Sequence, residues 1–421
     1  MQFKSFRFTV WELGGAFGDL GTLLPLLVAL ILVNNVSATG AFLVVGLAYI
    51  LAGLYYRIPI PVQPLKSVSA MAIAMGLSAG VIAASGLLMA GLLLFLAATG
   101  IISTVAKLFP KPVIRGIQLG VAFFLIRAGV ALVTEPQVFV TGPETSIRLA
   151  EATIPLGWLL AIASGIVFLV FLRKQWLPAS LVILTFGLAA GAFWGPIEGL
   201  RELRLGISFP TLGLPSLSDF NTALVILVIS QVPLTLGNAV FAAADTAKSY
   251  FGADARRVTH RGLLTTTGVA NVAAGVLGGV PICHGSGGIT AHFKLGARTG
   301  GANLMIGSVF LALALFADGN VLPLLSLIPY PVLGVMVAFV GLQHALLVRD
   351  LQRWLHIAVA ILIAVVGLVT SNLALGFGLG IVLLQGQSLT RFLQHRVASA
   401  RWRQRQLRDS RLGRPTPLAR G

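Results

Sequence analysis

Two short stretches, far apart in the chain, hold the residues best suited to chemistry: Ile58-Pro-Ile-Pro-Val-Gln-Pro-Leu-Lys-Ser67 and Gly279-Val-Pro-Ile-Cys-His-Gly-Ser-Gly-Gly288. Proline fixes its own φ and biases the preceding residue away from helix, so residues 58–64 are expected to be extended, with helix beginning near Leu65. Val280 to Cys283 could supply a partner strand for the backbone groups this leaves unpaired. Two half-helices would then start at Lys66 and Gly285, their N-termini aimed at one point. Each N-terminus carries roughly half a positive charge and several free N–H groups, so two of them plus Lys66 supply about two positive charges. That charge suits a tetrahedral dianion. Ser67, Ser69 and Ser286 add hydroxyl donors, and Gly285 and Gly287 let backbone approach oxygen atoms closely.

Around this constellation, other polar residues interrupt apolar runs. Asp19 lies in Gly14-Gly-Ala-Phe-Gly-Asp-Leu-Gly21, a helix loosened by glycine, and could pair with Lys66 or serve in coupling. Gln231, Thr235 and Asn238 could line the cavity or act as polar glue between helices. Asp245 could take protons or pair with Lys248. Gly-Ser-Gly-Gly could equally serve close helix packing, and Lys66 could snorkel toward an aqueous face. Cys283-His284 is only half a metal site and the chain has one cysteine, so no metal, cofactor or disulfide is expected. Ser286 near His284 or His292 invites a hydrolase reading, but hydrolysis would not explain the matching break in the first stretch.

The elements that must position these residues are membrane spans. Of 421 residues, 57% are hydrophobic and 10% charged, and the mean hydropathy is +0.93, whereas a soluble domain has about 25% charged residues. Residues 21–56, 67–106, 299–317 and 356–390 contain no Asp, Glu, Lys or Arg, and a span needs about 20 residues. Apolar runs read against breakers give fourteen segments: Leu13–Val33, Thr39–Tyr56, Pro61–Ala79, Gly86–Ala106, Pro112–Val133, Pro155–Leu172, Pro178–Trp194, Thr222–Ala244, Gly262–Leu277, Ile282–Leu295, Gly300–Ala317, Leu322–Leu347, Trp354–Thr370 and Leu375–Phe392.

Charge tests that count. With cytoplasmic termini, Lys4, Arg7, Arg57, Lys107, Lys111, Arg115, Arg173, Lys174, Lys248, Arg256, Arg257, Arg261, Lys294, Arg298, Arg349 and Arg353 all fall inside. Outside are Arg148, Arg201 and Arg204, mixed with acidic residues, as the positive-inside bias requires. The net charge of +17 is spread over these connections and a basic tail, so anionic lipid, not nucleic acid, is its expected partner. No cleavable signal peptide is expected at the N-terminus.

The Gly-, Pro- and Ser-rich connection of residues 195–221 divides the segments seven and seven. Seven is odd, so the second set must be inverted relative to the first. The expected architecture is therefore an all-α polytopic membrane protein with a 7+7 inverted repeat and two short extended strands at mid-membrane preceding half-helices. Its parts would be a first repeat over 1–205, a second over 206–395, and a basic cytoplasmic tail over 396–421.

Pro59 to Lys66, Pro281 to Gly288 and Phe293-Lys-Leu-Gly-Ala-Arg-Thr-Gly300, with Phe17-Gly-Asp-Leu-Gly-Thr22 before them, resemble the paired signatures of the molybdate transporter family. That family is a relative of the sulfate permeases. Leu65 stands where a methionine is expected. The resemblance implies a core domain of segments one to four and eight to eleven and a gate domain of the others. It also implies an oxyanion site of Gln63, Lys66, Ser67, Gly285, Ser286 and Gly287, and the absence of a C-terminal regulatory domain. The expected function, not an enzymatic one, is secondary active import of molybdate, with tungstate or sulfate as further substrates and protons as coupling ion. The expected setting is a bacterial inner membrane, and a homodimer is left open. A sulfate or nucleobase carrier of the same fold and an anion channel remain as alternatives.

Overall fold

The computed structural model describes residues 6–106, 109–139, 146–149, 152–172, 179–195, 197, 213–316 and 322–384. Six of its helices are long and apolar enough to cross a membrane, among them Val10–Asn34, Ala38–Tyr56, Ala79–Thr99 and Lys111–Thr134. Shorter apolar helices include Leu156–Leu172, Ala179–Trp194, Gly301–Leu315 and Trp354–Thr370. Each of the fourteen apolar runs contains a helix, although several boundaries differ from those expected.

The differences have local causes. Met75 ends the helix after Lys66 because Gly76 takes a left-handed φ of 61° as its C-cap. Ser78 then caps a new helix at Ala79, seven residues before the expected start. The helix expected from Thr222 starts at Leu217, where Ser216 and Asp219 form a reciprocal capping box. Leu322–Leu347 is two helices, Leu322–Ser326 and Tyr330–Ala345, with Pro329 as N-cap of the second. The all-α reading also missed a hairpin, Ser146–Leu149 paired antiparallel with Ala152–Pro155. The boundary at 205/206 and the tail 396–421 lie outside the described residues.

Two helices are modified where polar residues cluster. The first passes through a 3-10 turn at Phe17–Asp19 before continuing as Leu20–Asn34, as the glycines around Asp19 led us to expect. The helical rod of residues 217–251 contains two π-helical stretches, Ala223–Val228 and Thr235–Phe241, either side of Ile229–Leu234. Pro233 lies between them. It has no N–H to donate, so the regular ladder cannot run through it. Widened turns of this kind gather at functional sites.

Packing ties distant parts of the chain together. Ala38–Tyr56 lies against Gly301–Leu315, and Ala79–Thr99 against His260–Val276. Lys111–Thr134 packs on both Tyr330–Ala345 and Trp354–Thr370, while Tyr330–Ala345 also meets Leu156–Leu172. Small residues permit the closest approaches: a Cβ on Gly279 would meet the carbonyl oxygen of Gly40 at 2.7 Å.

Candidate functional site

The two broken stretches meet. Gln63–Pro64 pairs antiparallel with Ile282–Cys283, with Gln63 opposite Cys283 and Pro64 opposite Ile282. The Leu65 N–H extends the pairing to the Pro281 carbonyl at 2.9 Å. Helix Lys66–Met75 leaves one strand and Ser286–Lys294 the other, capped by Leu65 and Gly285 in extended conformation. Because the strands are antiparallel, both helices begin at this junction and run away from it.

Two asparagines, which sequence reasoning did not single out, hold the extended backbone in place. Asn303 accepts the Ile60 N–H at 3.0 Å and donates to its carbonyl at 2.7 Å. Asn271 does the same for Ile282, at 2.7 and 3.1 Å. Away from water, the extended backbone needs partners that no helix ladder supplies, and each amide satisfies one N–H and one C=O. A single buried Asn in a run of small and apolar residues was the available signal.

Lys66, Gln231 and Asn238 line one small cavity together with Gln118, Leu234, Cys283 and His344. The space a water centre can occupy there is about 10 Å³, roughly one water. Gln118 comes from Lys111–Thr134 and His344 from Tyr330–Ala345, so helices outside the strand junction close the cavity. Neither residue was anticipated. Gln118 was detectable as the one uncharged polar side chain of its run, between Arg115 and Arg127, and His344 carried no comparable signal.

The remaining predicted residues divide into three groups. Gln63 and Ser67 are buried at the junction: Gln63 Nε2 donates to Asp19 Oδ1 at 2.6 Å, and the Ser67 hydroxyl shares a 2.8 Å hydrogen bond with Ser230. Asp19 lies within electrostatic reach of Lys66, but no ion pair joins them among the described residues. Oδ2 of Asp19 and Oε1 of Gln63 are buried without a hydrogen-bond partner. Ser286 donates to Asn238 Oδ1 at 2.8 Å, and Gly287 faces open space. Asp245 is not brought to the junction; it is exposed in a separate depression with Lys248, Arg256 and His260.

Glycine is required at two positions. A Cβ on Gly285 would collide with Gln63 Oε1, and one on Gly288 would lie 2.7 Å from the Asp19 carboxylate. The Ser69 hydroxyl is turned back to Leu65 O at 2.9 Å and is spent on its own helix. His284 bonds Pro61 O and Thr266, and His292 bonds Gly15 O, so neither activates Ser286. No cluster of metal-ligating side chains occurs among the described residues. Arg298 serves structure: its N–H reaches Glu12 at 3.1 Å and its guanidinium lies 3.9 Å over the Phe293 ring.

A family profile described as "Molybdate transporter of MFS superfamily" matches residues 11–125 and 223–343. The chain belongs to this family of transporters. The matched regions contain both broken stretches, the long helix with Gln231 and Asn238, and the cavity residues Gln118 and Cys283. Among curated relatives in the family, Molybdate transporter 2 of Arabidopsis thaliana is 28% identical, over 88% of this chain and 86% of its own. Molybdate transporter 1 of Chlamydomonas reinhardtii is 29% identical, over 88% and 90%. Among solved structures, the transmembrane domain of the cyanobacterial bicarbonate transporter BicA superposes with a TM-score of 0.60 at 18% identity, covering 86% of this chain and 97% of that one. Murine Slc26a9, an anion transporter in the inward-facing state, gives 0.64 at 18%, covering 92% and 70%. The family member thus has the fold of these membrane transporters and is not an enzyme.

Proposed function

We propose that this chain is a secondary active transporter that imports molybdate, binding the anion between the two half-helix N-termini. The reading rests above all on one observation. Two helices of opposite direction begin at a shared strand pair, and Lys66 opens from that junction into a cavity. Two dipole ends and an ammonium offer about two positive charges to a dianion. Lys66 and the first turns of Lys66–Met75 and Ser286–Lys294 bind it, with Ser286 and Asn238 at its rim and Gln118 and His344 on the opposing wall.

Fourteen segments in a 7+7 inverted repeat agree with the packing. Segment two of each half lies against segment four of the other, segment five against segment five, and strand against strand. A two-fold pseudo-axis in the membrane plane relates such contacts. Segments one to four and eight to eleven then form a core carrying the anion, and the others form a gate against which the core moves.

Moving a dianion inward against a negative-inside potential costs about 4.6 kcal/mol per 100 mV, which co-transported protons offset. Asp19, buried with one carboxylate oxygen unpaired, is the coupling group in this reading. In this reading both termini face the cytoplasm, which the positive-inside bias supports, and the membrane is a bacterial inner membrane. Sulfate is the second substrate reading, because a probable sulfate transporter of Mycobacterium tuberculosis is 25% identical over 68% of this chain and 52% of its own.

The test is initial-rate uptake of labelled molybdate into proteoliposomes, with tungstate, sulfate and uracil as competitors and with or without an inward proton gradient. The expected result is saturable uptake inhibited by tungstate, raised by the gradient and abolished in Lys66→Ala. Uptake unchanged in Lys66→Ala would refute the site, and stronger inhibition by sulfate or uracil would replace molybdate as substrate.

A further inference from the structure

A second cavity, of about 490 Å³, runs along the outside of the helix pair Ala38–Tyr56 and His260–Val276 and shares no lining residue with the cavity at Lys66. The two helices are antiparallel: Gly262 lies beside Tyr55, and Gly40 beside Leu277. Its walls are apolar, with Val44, Leu51 and Ala273 along its length, and Leu51 and Val269 are 58% and 52% exposed. The wall from Val44 to Tyr55 rises about 16 Å at roughly 1.5 Å per residue. That is about half of a 30 Å hydrocarbon core, the depth of one leaflet.

Charge is confined to one end. Among the described residues Arg261 is the only charged one that lines the groove, and it is exposed. Beside it Arg257 donates to the Tyr55 carbonyl at 2.7 Å and lies 5.9 Å from that ring. An apolar channel one leaflet deep, with an arginine at the depth of the headgroups, fits an acyl chain attached to a negative headgroup. A groove of this volume with a few polar groups at one end has the size and character of a small-molecule site.

The groove also touches the backbone of the anion junction from behind. Thr266 and His284 line it. His284 Nδ1 is 2.8 Å from Pro61 O, and because a carbonyl only accepts, that nitrogen carries the proton. Nε2 of the neutral ring then accepts from Thr266 Oγ1 at 3.0 Å, and Thr266 in turn meets Tyr56 OH at 2.8 Å. The chain from Tyr56 to Pro61 thus joins the groove wall to the strand before Lys66.

We propose that this groove binds one anionic phospholipid, its acyl chain along the apolar walls and its headgroup on Arg261, and that the bound lipid braces the Thr266, His284 and Pro61 chain. Lipid binding does not depend on which anion is transported, whereas the bracing rests on the proposed molybdate uptake through which it is read. Native mass spectrometry of the purified full-length protein with dioleoyl phosphatidylglycerol or phosphatidylcholine tests it. The phosphatidylglycerol adduct is expected to be retained about fivefold more, the worth of one arginine at a membrane surface. Arg261→Ala abolishes the preference, and Leu51→Trp, on a lipid-exposed face that does not threaten folding, lowers both adducts. Molybdate uptake is expected to be higher in vesicles containing phosphatidylglycerol for wild type but not for Arg261→Ala. Equal retention of the two lipids by wild type, or wild-type retention by both variants, overturns the site. Uptake indifferent to the lipid overturns the bracing. A lipid-free dimer that Leu51→Trp dissociates would assign the groove to a second copy and also overturn the proposal.

Discussion

The side-chain carbonyl of Gln231 accepts the backbone N–H of Ser67 at 2.9 Å and lies 3.4 Å from that of Val68. Its amide donates to Thr235 at 3.0 Å, which fixes the orientation. A neutral acceptor from the π-distorted helix therefore caps the half-helix beside Lys66, on N–H groups that an oxyanion would use. In the proposed mechanism the anion shares or displaces this cap, and Gln231 reports on whether the site is loaded.

Gln231→Glu tests that relationship. A carboxylate at this cap satisfies the same N–H groups and neutralises the charge intended for substrate. Initial molybdate uptake is expected to fall more than about tenfold, equivalent to about 1.4 kcal/mol, with folding retained. Gln231→Ala removes the cap without adding charge and should cost less. Wild-type rates in the Glu variant would separate this capped N-terminus from the anion path.

Gly285→Ala drives a Cβ into Gln63 Oε1. Overpacking at such a junction costs about 1–3 kcal/mol. A lower melting temperature and lost uptake are expected. Adding Gln63→Ala removes the obstructing side chain, so the double variant should regain stability but not transport. A double variant no more stable than Gly285→Ala would place the strain elsewhere.

Asn303→Leu and Asn271→Leu each leave a buried N–H and C=O unpaired at Ile60 or Ile282. At about 1–3 kcal/mol per orphaned group, either change should lower thermal stability clearly. Asn303→Asp keeps the acceptor for Ile60 N–H but turns a carboxylate toward the Ile60 and Tyr49 carbonyls, and should be at least as destabilised as Asn303→Leu. Melting curves of the detergent-solubilised protein order the three variants; equal stabilities would mean the strands hold without these clamps.

Asp19→Asn preserves an acceptor for Gln63 while removing a charge. If Asp19 couples protons, the variant should bind molybdate yet show the same uptake with and without a pH gradient. Gradient-stimulated uptake in this variant would move the coupling group to another residue.

Much of this was legible in the linear chain because proline and glycine act locally. Pro59, Pro61 and Pro64 dictate an extended stretch, a half-helix can begin only after them, and the uncharged runs around them are long enough only for lipid or a buried core. The junction was therefore predictable to within a residue at Lys66 and Gly285. Packing decided the rest. Whether Asn238 meets Ser286, whether Asp245 faces the junction or water, and which side chains close the cavity all depend on how distant helices are rotated against one another. Nothing in the spacing of residues along the chain encodes that rotation. Gln118, His344 and the clamps Asn271 and Asn303 belong to this second class. Each gains its role from a partner between 11 and 243 positions away in sequence for the clamps, and from the far wall of the cavity for the other two.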